Sequence, residues 1–150
     1  PVTDIVIEDG SVRAVETDSG RIAAEYVVNS GGAWAGHIAA LAGVDVPMAP
    51  TRGVMVAADV SGIGPVINRC RPPSDGDIVV PHEGRVVLGT TSTPVENPES
   101  FPTDEAAIET MVSEGAAMVP AVSEADVADV YWGVRPLYAG ADGESGRDDR

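Results

Sequence analysis

The sequence predicts an α+β protein whose short, mostly antiparallel strands outnumber its helices. Three observations support this prediction. Alternating apolar and polar residues open the chain, sheet-like runs broken by Pro and Gly extend from Val46 to Gly89, and one long amphipathic stretch covers 103–119. With 150 residues, 43% of them apolar, the chain is long and apolar enough to bury a core.

The first thirty residues predict a three-stranded meander. Apolar and polar residues alternate over 2–8, 11–17 and 21–28, with Asp9-Gly10 and Asp18-Ser19-Gly20 between the runs. Asp-Gly and Ser-Gly steps between alternating runs are typical of hairpin turns. The third run ends in Val27 and Val28, which indicates a strand that enters a covered sheet.

A glycine-rich turn follows the meander. The residues Asn29-Ser30-Gly31-Gly32-Ala33-Trp34 lead into a short helix over 35–43, with Gly43 as its C-terminal stop. A glycine pair between a strand and a helix lets the backbone approach a ligand, preferably an anion. Because the pair also suits a plain tight turn, spacing alone leaves both interpretations open.

Sheet is predicted in the middle of the chain. Four strands are expected at 53–58, 66–70, 77–80 and 85–88, with His82-Glu83-Gly84 as a hairpin loop between the last two. Two prolines make 71–76 a loop, and two more make 95–102 another.

One long helix is predicted over 103–119, and a last strand follows at about 127–137. Thr103 caps the helix and Pro120 ends it. Its buried stripe comprises Ile108, Met111, Val112, Met118 and Val119. The Gly- and Asp-rich tail over 140–150 is expected to be flexible.

Charge and composition argue against several classes of function. Nine arginines, no lysine and 24 acidic residues give a net charge of −15, which disfavours nucleic acids and anionic membrane surfaces as partners. One cysteine excludes an internal disulfide, and no apolar run reaches the roughly 20 residues needed to cross a bilayer. A cytoplasmic protein without direct membrane insertion is therefore expected.

The acidic composition also predicts adaptation to molar salt. Aromatic residues make up only 4% of the chain, and Ala, Val and Gly are abundant instead. Repulsion among like surface charges destabilises the compact state, and 1 M salt shortens its range to about 3 Å. The sequence therefore predicts a halophilic protein, with an ordinary acidic protein as the alternative.

Common catalytic and metal-binding motifs are absent from the sequence. It contains no GxGxxG, Walker loop, HExxH, paired CxxC or GxSxG. Cys70, His37 and His82 are too few and too scattered to predict a metal site. Cys70 is expected to be a small buried apolar residue. Residue patterns alone therefore leave the function undetermined.

Several segments together resemble one enzyme family. Residues 26–36, Tyr-Val-Val-Asn-Ser-Gly-Gly-Ala-Trp-Ala-Gly, are similar to the second flavin-contacting stretch of the D-amino-acid-oxidase-like FAD oxidoreductases. The stretch 66–81, which contains Asn-Arg-Cys-Arg-Pro-Pro-Ser-Asp at 68–75, is followed by Leu-Gly-Thr-Thr-Ser at 88–92 and Gly-Val-Arg-Pro-Leu at 133–137. This series resembles the catalytic A subunit of the anaerobic-type glycerol-3-phosphate dehydrogenases.

The resemblance implies a flavoenzyme that oxidises sn-glycerol 3-phosphate to dihydroxyacetone phosphate. Hydride would pass to FAD, and electrons would then pass to quinone through partner subunits. These subunits would hold the enzyme at the inner face of the membrane. A homodimer is left open. One alternative is another member of the superfamily that acts on an amine or a 2-hydroxy acid. The other is a non-catalytic binding or assembly domain with the same fold.

The resemblance also implies a division of the chain. Residues 1–45 correspond to the C-terminal part of an FAD-binding domain, and 46–139 to part of a substrate-binding domain. The family's N-terminal GxGxxG unit and its later Gly-Gly-Lys stretch have no counterpart here. The chain is therefore expected to be an internal piece of a longer enzyme that does not bind FAD tightly by itself.

Roles at the site follow from the same resemblance. Arg135 corresponds to an arginine that faces the substrate near the flavin. An oxyanion held by its two-pronged guanidinium would satisfy it, as would a structural ion pair. Arg52 and Thr91 are further candidates for substrate binding. Candidates for cofactor binding are Ser30, Gly31, Gly32, Trp34 and Thr90.

Some of these roles have alternatives. The hydroxyls of Thr90 and Thr91 suit the substrate or the cofactor, and equally a bond to the local backbone. Met55 stands where the single-chain aerobic dehydrogenases have a candidate base, a histidine, so the general base is unassigned. The roles of Arg69, Arg71 and Asp75 stay open between structural support and an intersubunit contact.

Overall fold

The structure is a computed structural model, and it describes residues 1–99 and 105–140. The chain divides into two units. One combines Pro1–Pro50 with the segment that begins at Pro136, and the other is Thr51–Arg135. The expected α+β fold is confirmed, since antiparallel sheets dominate and helices are few. The assignment of 1–45 and 46–139 to FAD-binding and substrate-binding domains stays a prediction.

The first unit contains the predicted meander. Its strands are β1 (Val2–Glu8), β2 (Ser11–Thr17) and β3 (Gly20–Ala23), paired antiparallel in that order. Asp9 and Gly10 make the first turn with φ of 51° and 72°. The third strand ends at Ala23 rather than Val28, and residues 24–30 belong to no strand. Tyr26 and Val28 are consequently 87% and 88% exposed.

The predicted helix after the meander is shorter than its sequence pattern. A 3-10 turn (Gly32–Trp34) leads into α1 (Ala35–Ala40). Gly43 has φ of 69°, and its N–H donates to the carbonyl of Ala40 at 3.0 Å. Gly43 therefore ends the helical turn that follows α1, as expected, three residues after the last residue of the helix.

The second unit contains a six-stranded antiparallel sheet. Its strands are β4 (Thr51–Ala58), β5 (Ile67–Asn68), β6 (Ile78–His82), β7 (Arg85–Gly89), β8 (Thr93–Pro94) and β9 (Val127–Arg135). The order is β5-β6-β7-β4-β8, and β9 pairs with β4 along its whole length. Met55 pairs with both Gly89 and Tyr131, so β7 and β9 flank β4 on opposite sides.

The long helix, α2 (Glu105–Met118), covers one face of this sheet. Met111 is fully buried against Val56, Val79 and Leu88, while Ile108, Val112 and Met118 are partly buried beside them. The predicted apolar stripe is thus the packed side of the helix. The predicted cap, Thr103, lies outside the described residues. None of the helices among the described residues is long and apolar enough to cross a membrane.

Strand alternation gives β4 two different faces. Val54, Val56 and Ala58 belong to one face, and Val56 and Ala58 join the core under α2. Gly53 and Met55 belong to the other face. Directly opposed residues share a face, so Arg135, which pairs with Thr51, lies on the face of Gly53 and Met55.

Candidate functional site

Arg135 is held in place at the end of β9 by hydrogen bonds to two consecutive threonines. Its Nη2 donates to Thr90 Oγ1 at 3.0 Å, and Nη1 and Nη2 each donate to the carbonyl oxygen of Thr91 at 3.3 Å. The side chain is half-buried. The structure therefore brings together three of the residues that the sequence nominated for the site.

Gly53 makes room for this guanidinium. A Cβ atom at position 53 would lie 2.6 Å from Arg135 Nη2 and 2.6 Å from Thr90 Oγ1. Real Cβ atoms do not approach other atoms so closely, so Arg135 crosses β4 where a side chain is missing. Sequence analysis did not assign Gly53 a role. A glycine within a β-strand is a signal for such close approach.

Thr91 is bound to the backbone of β4. Its hydroxyl accepts the N–H of Val54 at 2.9 Å, and its own N–H donates to the carbonyl of Val54 at 3.3 Å. The residue is 4% exposed. The bond to the local backbone thus exists for Thr91, and direct contact with substrate stays a prediction.

Thr90 links Arg135 to the same backbone. Its hydroxyl accepts from Arg135 Nη2 and donates to the carbonyl of Thr91 at 3.2 Å. Because one hydroxyl serves both bonds, Thr90 orients the guanidinium relative to the end of β7. Its contact with the cofactor stays a prediction.

The structure separates Arg52 from this group. Arg52 is 4% exposed, and alternation along β4 places it on the face opposite Arg135. Its role in substrate binding stays a prediction. Met55, by contrast, lies on the face of Arg135 and is 36% exposed, directly across from Tyr131.

The paired-glycine turn of the first unit is held by Asn29. The Oδ1 of Asn29 accepts the N–H of Gly31 at 3.0 Å, and its Nδ2 donates to the carbonyl of Ala35 at 2.8 Å. Gly31 packs closely on α1, because a Cβ there would lie 2.5 Å from Ile38 Cδ1, which would have to shift. Gly32 has φ of 57° and open space beside it.

This turn suits a ligand that approaches the backbone. Gly32 and Ser30 are exposed, and Trp34 is 40% exposed. With no side chain at Gly32, a planar or anionic group can reach the backbone there. The contact of these residues with the cofactor stays a prediction.

Arg69 and Arg71 attach the proline-rich loop at 71–76 to α2. Arg69 Nη1 lies 2.6 Å from Glu114 Oε2, and Arg71 Nη2 lies 3.1 Å from the same oxygen. Arg71 Nε also lies 2.6 Å from Asp77 Oδ1. These ion pairs give both arginines a structural role. Asp75 is half-buried and forms no hydrogen bond or ion pair with any described residue.

The pKa of Asp77 is lowered by this cluster. Partial burial alone would raise it, but hydrogen bonds from Arg71 and the N–H of Ser74, together with the charges of Arg71 and Arg69, outweigh the burial. The hydrogen bond with Asp77 and the charges of Asp77 and Glu114 raise the pKa of Arg71. The ionised forms of both partners are therefore favoured.

The expectation that Cys70 is buried is wrong. Cys70 is exposed and has φ of 52° in the loop after β5. Its N–H donates to Asn68 Oδ1 at 2.7 Å and its Sγ donates to the carbonyl of Asn68 at 3.7 Å, which fixes this turn. His37 and His82 are also exposed.

Comparisons with known proteins extend this picture. The sequence profile of a family described as FAD dependent oxidoreductase matches residues 1–148. The chain is 41% identical over 152 residues to the A1 subunit of the anaerobic glycerol-3-phosphate dehydrogenase of Haloferax volcanii, covering 91% of this chain and 26% of that protein. It is 34% identical to the A subunit of the Escherichia coli K12 enzyme of the same name, covering 97% of this chain and 28% of that protein.

A solved structure is also similar to this chain. The glycine oxidase of Bacillus cereus superposes with a TM-score of 0.75 at 27% identity, covering 91% of this chain and 37% of the oxidase. The chain thus spans about a quarter of the length of the curated relatives given above.

Proposed function

The chain belongs to the family of FAD dependent oxidoreductases, and on that premise we propose that it is part of an enzyme that oxidises sn-glycerol 3-phosphate to dihydroxyacetone phosphate. The observation that carries the proposal is the guanidinium of Arg135, which Thr90 and Thr91 hold on the face of the sheet opposite α2. The similarity to two proteins named for glycerol-3-phosphate dehydrogenase supports this substrate.

Arg135 binds the phosphate of the substrate in this proposal. A guanidinium is permanently charged and carries five N–H donors; three of them serve Thr90 and Thr91, and its positive charge attracts a phosphate. Because the hydrogen bonds to Thr90 and Thr91 already orient it, little side-chain entropy is lost when the phosphate binds. Arg52 adds positive charge to this end of β4 from the opposite face.

Ser30, Gly31, Gly32 and Trp34 hold FAD in the proposed enzyme. When bound, FAD supplies the acceptor for the hydride that leaves C2 of the substrate. The residues of this chain bind and orient the two reactants. Met55 stands at the position of the candidate base in the single-chain aerobic enzymes, and it carries no ionisable group. The general base is therefore assigned to none of the described residues.

We further propose that partner subunits carry the electrons onward to quinone at the inner face of the membrane. The relatives are themselves named as subunits, which supports an assembly of several chains. Copurification of the full-length protein with other subunits, and reduction of a soluble quinone only by that complex, are the expected results. The mass of the complex tests whether it also contains a homodimer.

A carboxylate substrate is the second candidate. A carboxylate presents two oxygens to a guanidinium just as a phosphate does, so Arg135 would also suit an amine or 2-hydroxy acid. The similarity to a glycine oxidase favours this candidate over a non-catalytic domain. Turnover of glycine or a 2-hydroxy acid, but not of glycerol 3-phosphate, would support it.

Replacing Arg135 in the full-length enzyme tests the proposed function. Arg135→Ala removes a charged contact worth about 3 kcal/mol, so the KM for glycerol 3-phosphate is expected to rise about 100-fold. Arg21→Ala is the control, since it removes the same charge from an exposed arginine paired with Glu16. An unchanged KM in Arg135→Ala would remove the assigned role.

A further inference from the structure

The position of Arg135 depends on two neighbours that need not touch the substrate. We propose that Gly53 and Thr90 are positioning residues that set where the guanidinium of Arg135 meets an oxyanion. The inference rests on the proposed function of Arg135. It gives Thr90 a role through Arg135 rather than through the cofactor.

Gly53 acts by having no side chain. A Cβ added to it would be 2.6 Å from Nη2 and 3.1 Å from Cζ of Arg135. Both contacts are with the charged end of Arg135, so an alanine would displace the part of the side chain that binds the anion. Thr90 Oγ1 would also lie 2.6 Å from the new methyl group. One substitution therefore disturbs both partners of this hydrogen bond.

Thr90 acts by its hydroxyl. The bond from Arg135 Nη2 to Thr90 Oγ1 is, at 3.0 Å, shorter than the two 3.3 Å bonds to the carbonyl of Thr91. A carbonyl at the end of β7 is present whatever the side chain, whereas the hydroxyl is specific to Thr or Ser. Loss of the hydroxyl therefore removes the shortest of these three hydrogen bonds and loosens the guanidinium without removing its charge.

Four variants of the full-length enzyme test this inference. Gly53→Ala and Thr90→Val are expected to raise the KM for glycerol 3-phosphate tenfold or more, and to weaken calorimetric binding of inorganic phosphate by the same factor. Thr90→Ser keeps the hydroxyl and is expected to stay near the parent enzyme. Gly133→Ala is the matched control, because Gly133 pairs directly with Gly53 but a Cβ added there would meet nothing within 4 Å.

Combining each change with Arg135→Ala separates positioning from general damage. If Gly53 and Thr90 act through Arg135, neither substitution raises the KM further once Arg135 is gone. Effects that add in that background, or single variants that bind phosphate normally, overturn the inference while leaving the proposed function intact. If Gly53→Ala fails to fold, the nearly isosteric Thr90→Val with its Thr90→Ser rescue decides the matter. A normal KM in Arg135→Ala removes the assigned role of Arg135 and this inference with it, whereas a parent enzyme that does not turn over glycerol 3-phosphate rejects the proposed function.

Discussion

A few charged side chains fix the loop between β5 and β6. Asp77 accepts hydrogen bonds from Arg71 Nε at 2.6 Å and from the N–H of Ser74 at 2.5 Å. The carboxylate of Glu114 in α2 forms ion pairs with both Arg69 and Arg71. A loop with consecutive prolines has few backbone bonds of its own, so these side chains supply its attachment to the helix.

The lowered pKa of Asp77 predicts a loss of stability in acid. The unfolded carboxyl titrates near its ordinary value of 3.8, and the folded one titrates below that. Its contribution to stability is therefore present above pH 3.8 and is lost as the pH falls through the folded pKa. Asp77→Asn is expected to be less stable than the parent above pH 5, with a difference that shrinks below pH 4.

Urea unfolding between pH 3 and pH 7 measures this difference. Asp75→Asn is the control, because it removes the same charge from the same loop without breaking the contact with Arg71. A gap between Asp77→Asn and the parent that stays constant down to pH 3 would contradict the prediction.

Single residues show where sequence analysis succeeds and where it stops. The family resemblance nominates Arg135, Thr90 and Thr91, but their contact depends on β7 and β9 lying on either side of β4. Thr90 and Arg135 are far apart along the chain, so no local pattern predicts their hydrogen bond. Residue type suggests burial for Cys70, whereas the turn at Asn68 exposes it.

At the scale of elements, α2 and β7 meet at a glycine. A Cβ on Gly115 would lie 2.7 Å from Leu88 Cδ2 and 2.9 Å from Leu88 Cδ1. Leu88 is 1% exposed and has little room to move. The helix and the sheet are therefore as close here as a missing side chain allows.

Gly115→Ala is expected to destabilise the protein despite the higher helix propensity of alanine. The propensity gain is about 1 kcal/mol, whereas overpacking costs about 1–3 kcal/mol. Urea unfolding at pH 7 measures the net change. Ser113→Ala, at an exposed position of α2, is the control and is expected to be neutral or slightly stabilising. A Gly115→Ala variant more stable than the parent would show that Leu88 can move aside.

Elements with strong periodicity are predictable from the sequence. The first two strands of the meander and α2 carry clear alternation or an apolar stripe, and their observed bounds lie close to those expected. The third strand does not extend to Val28, because two apolar residues indicate burial only where another strand is present to cover them. The two-residue strands β5 and β8 depend on their neighbours in the sheet, so local sequence predicts them poorly.

At the scale of the whole molecule, a net charge of −15 on 150 residues is the dominant feature. All nine cations are arginines. Several of them already pair with acids, among them Arg13, Arg21, Arg69, Arg71 and Arg85. The remaining repulsion among carboxylates favours expansion of the chain, and we propose on this basis that the protein is halophilic.

The melting temperature is expected to rise steadily as KCl increases from 0.1 M to 2 M, because salt screens this repulsion. A variant that neutralises three exposed acids, Asp45→Asn, Glu109→Gln and Glu124→Gln, is expected to need less salt for the same melting temperature. Thermal unfolding followed by circular dichroism measures both. Full stability of the parent chain in dilute buffer would contradict the proposal.

The division into two units is only partly predictable. Sequence patterns place a boundary near residue 45, and the second unit begins at Thr51. What they do not indicate is that the chain returns to the first unit at Pro136. Such a return depends on the long-range pairing of β4 with β9, which no local periodicity reports.

The pairing of Thr51 with Arg135 has a consequence for how such proteins diversify. These residues are the first and last of the second unit, and as a directly opposed pair their Cα atoms lie about 5 Å apart. Pro50 precedes one and Pro136 follows the other. Recombination at the two prolines would exchange the whole second unit, because its first and last residues lie side by side. Gly53, Thr90 and Arg135 would then be inherited together, never one without the others.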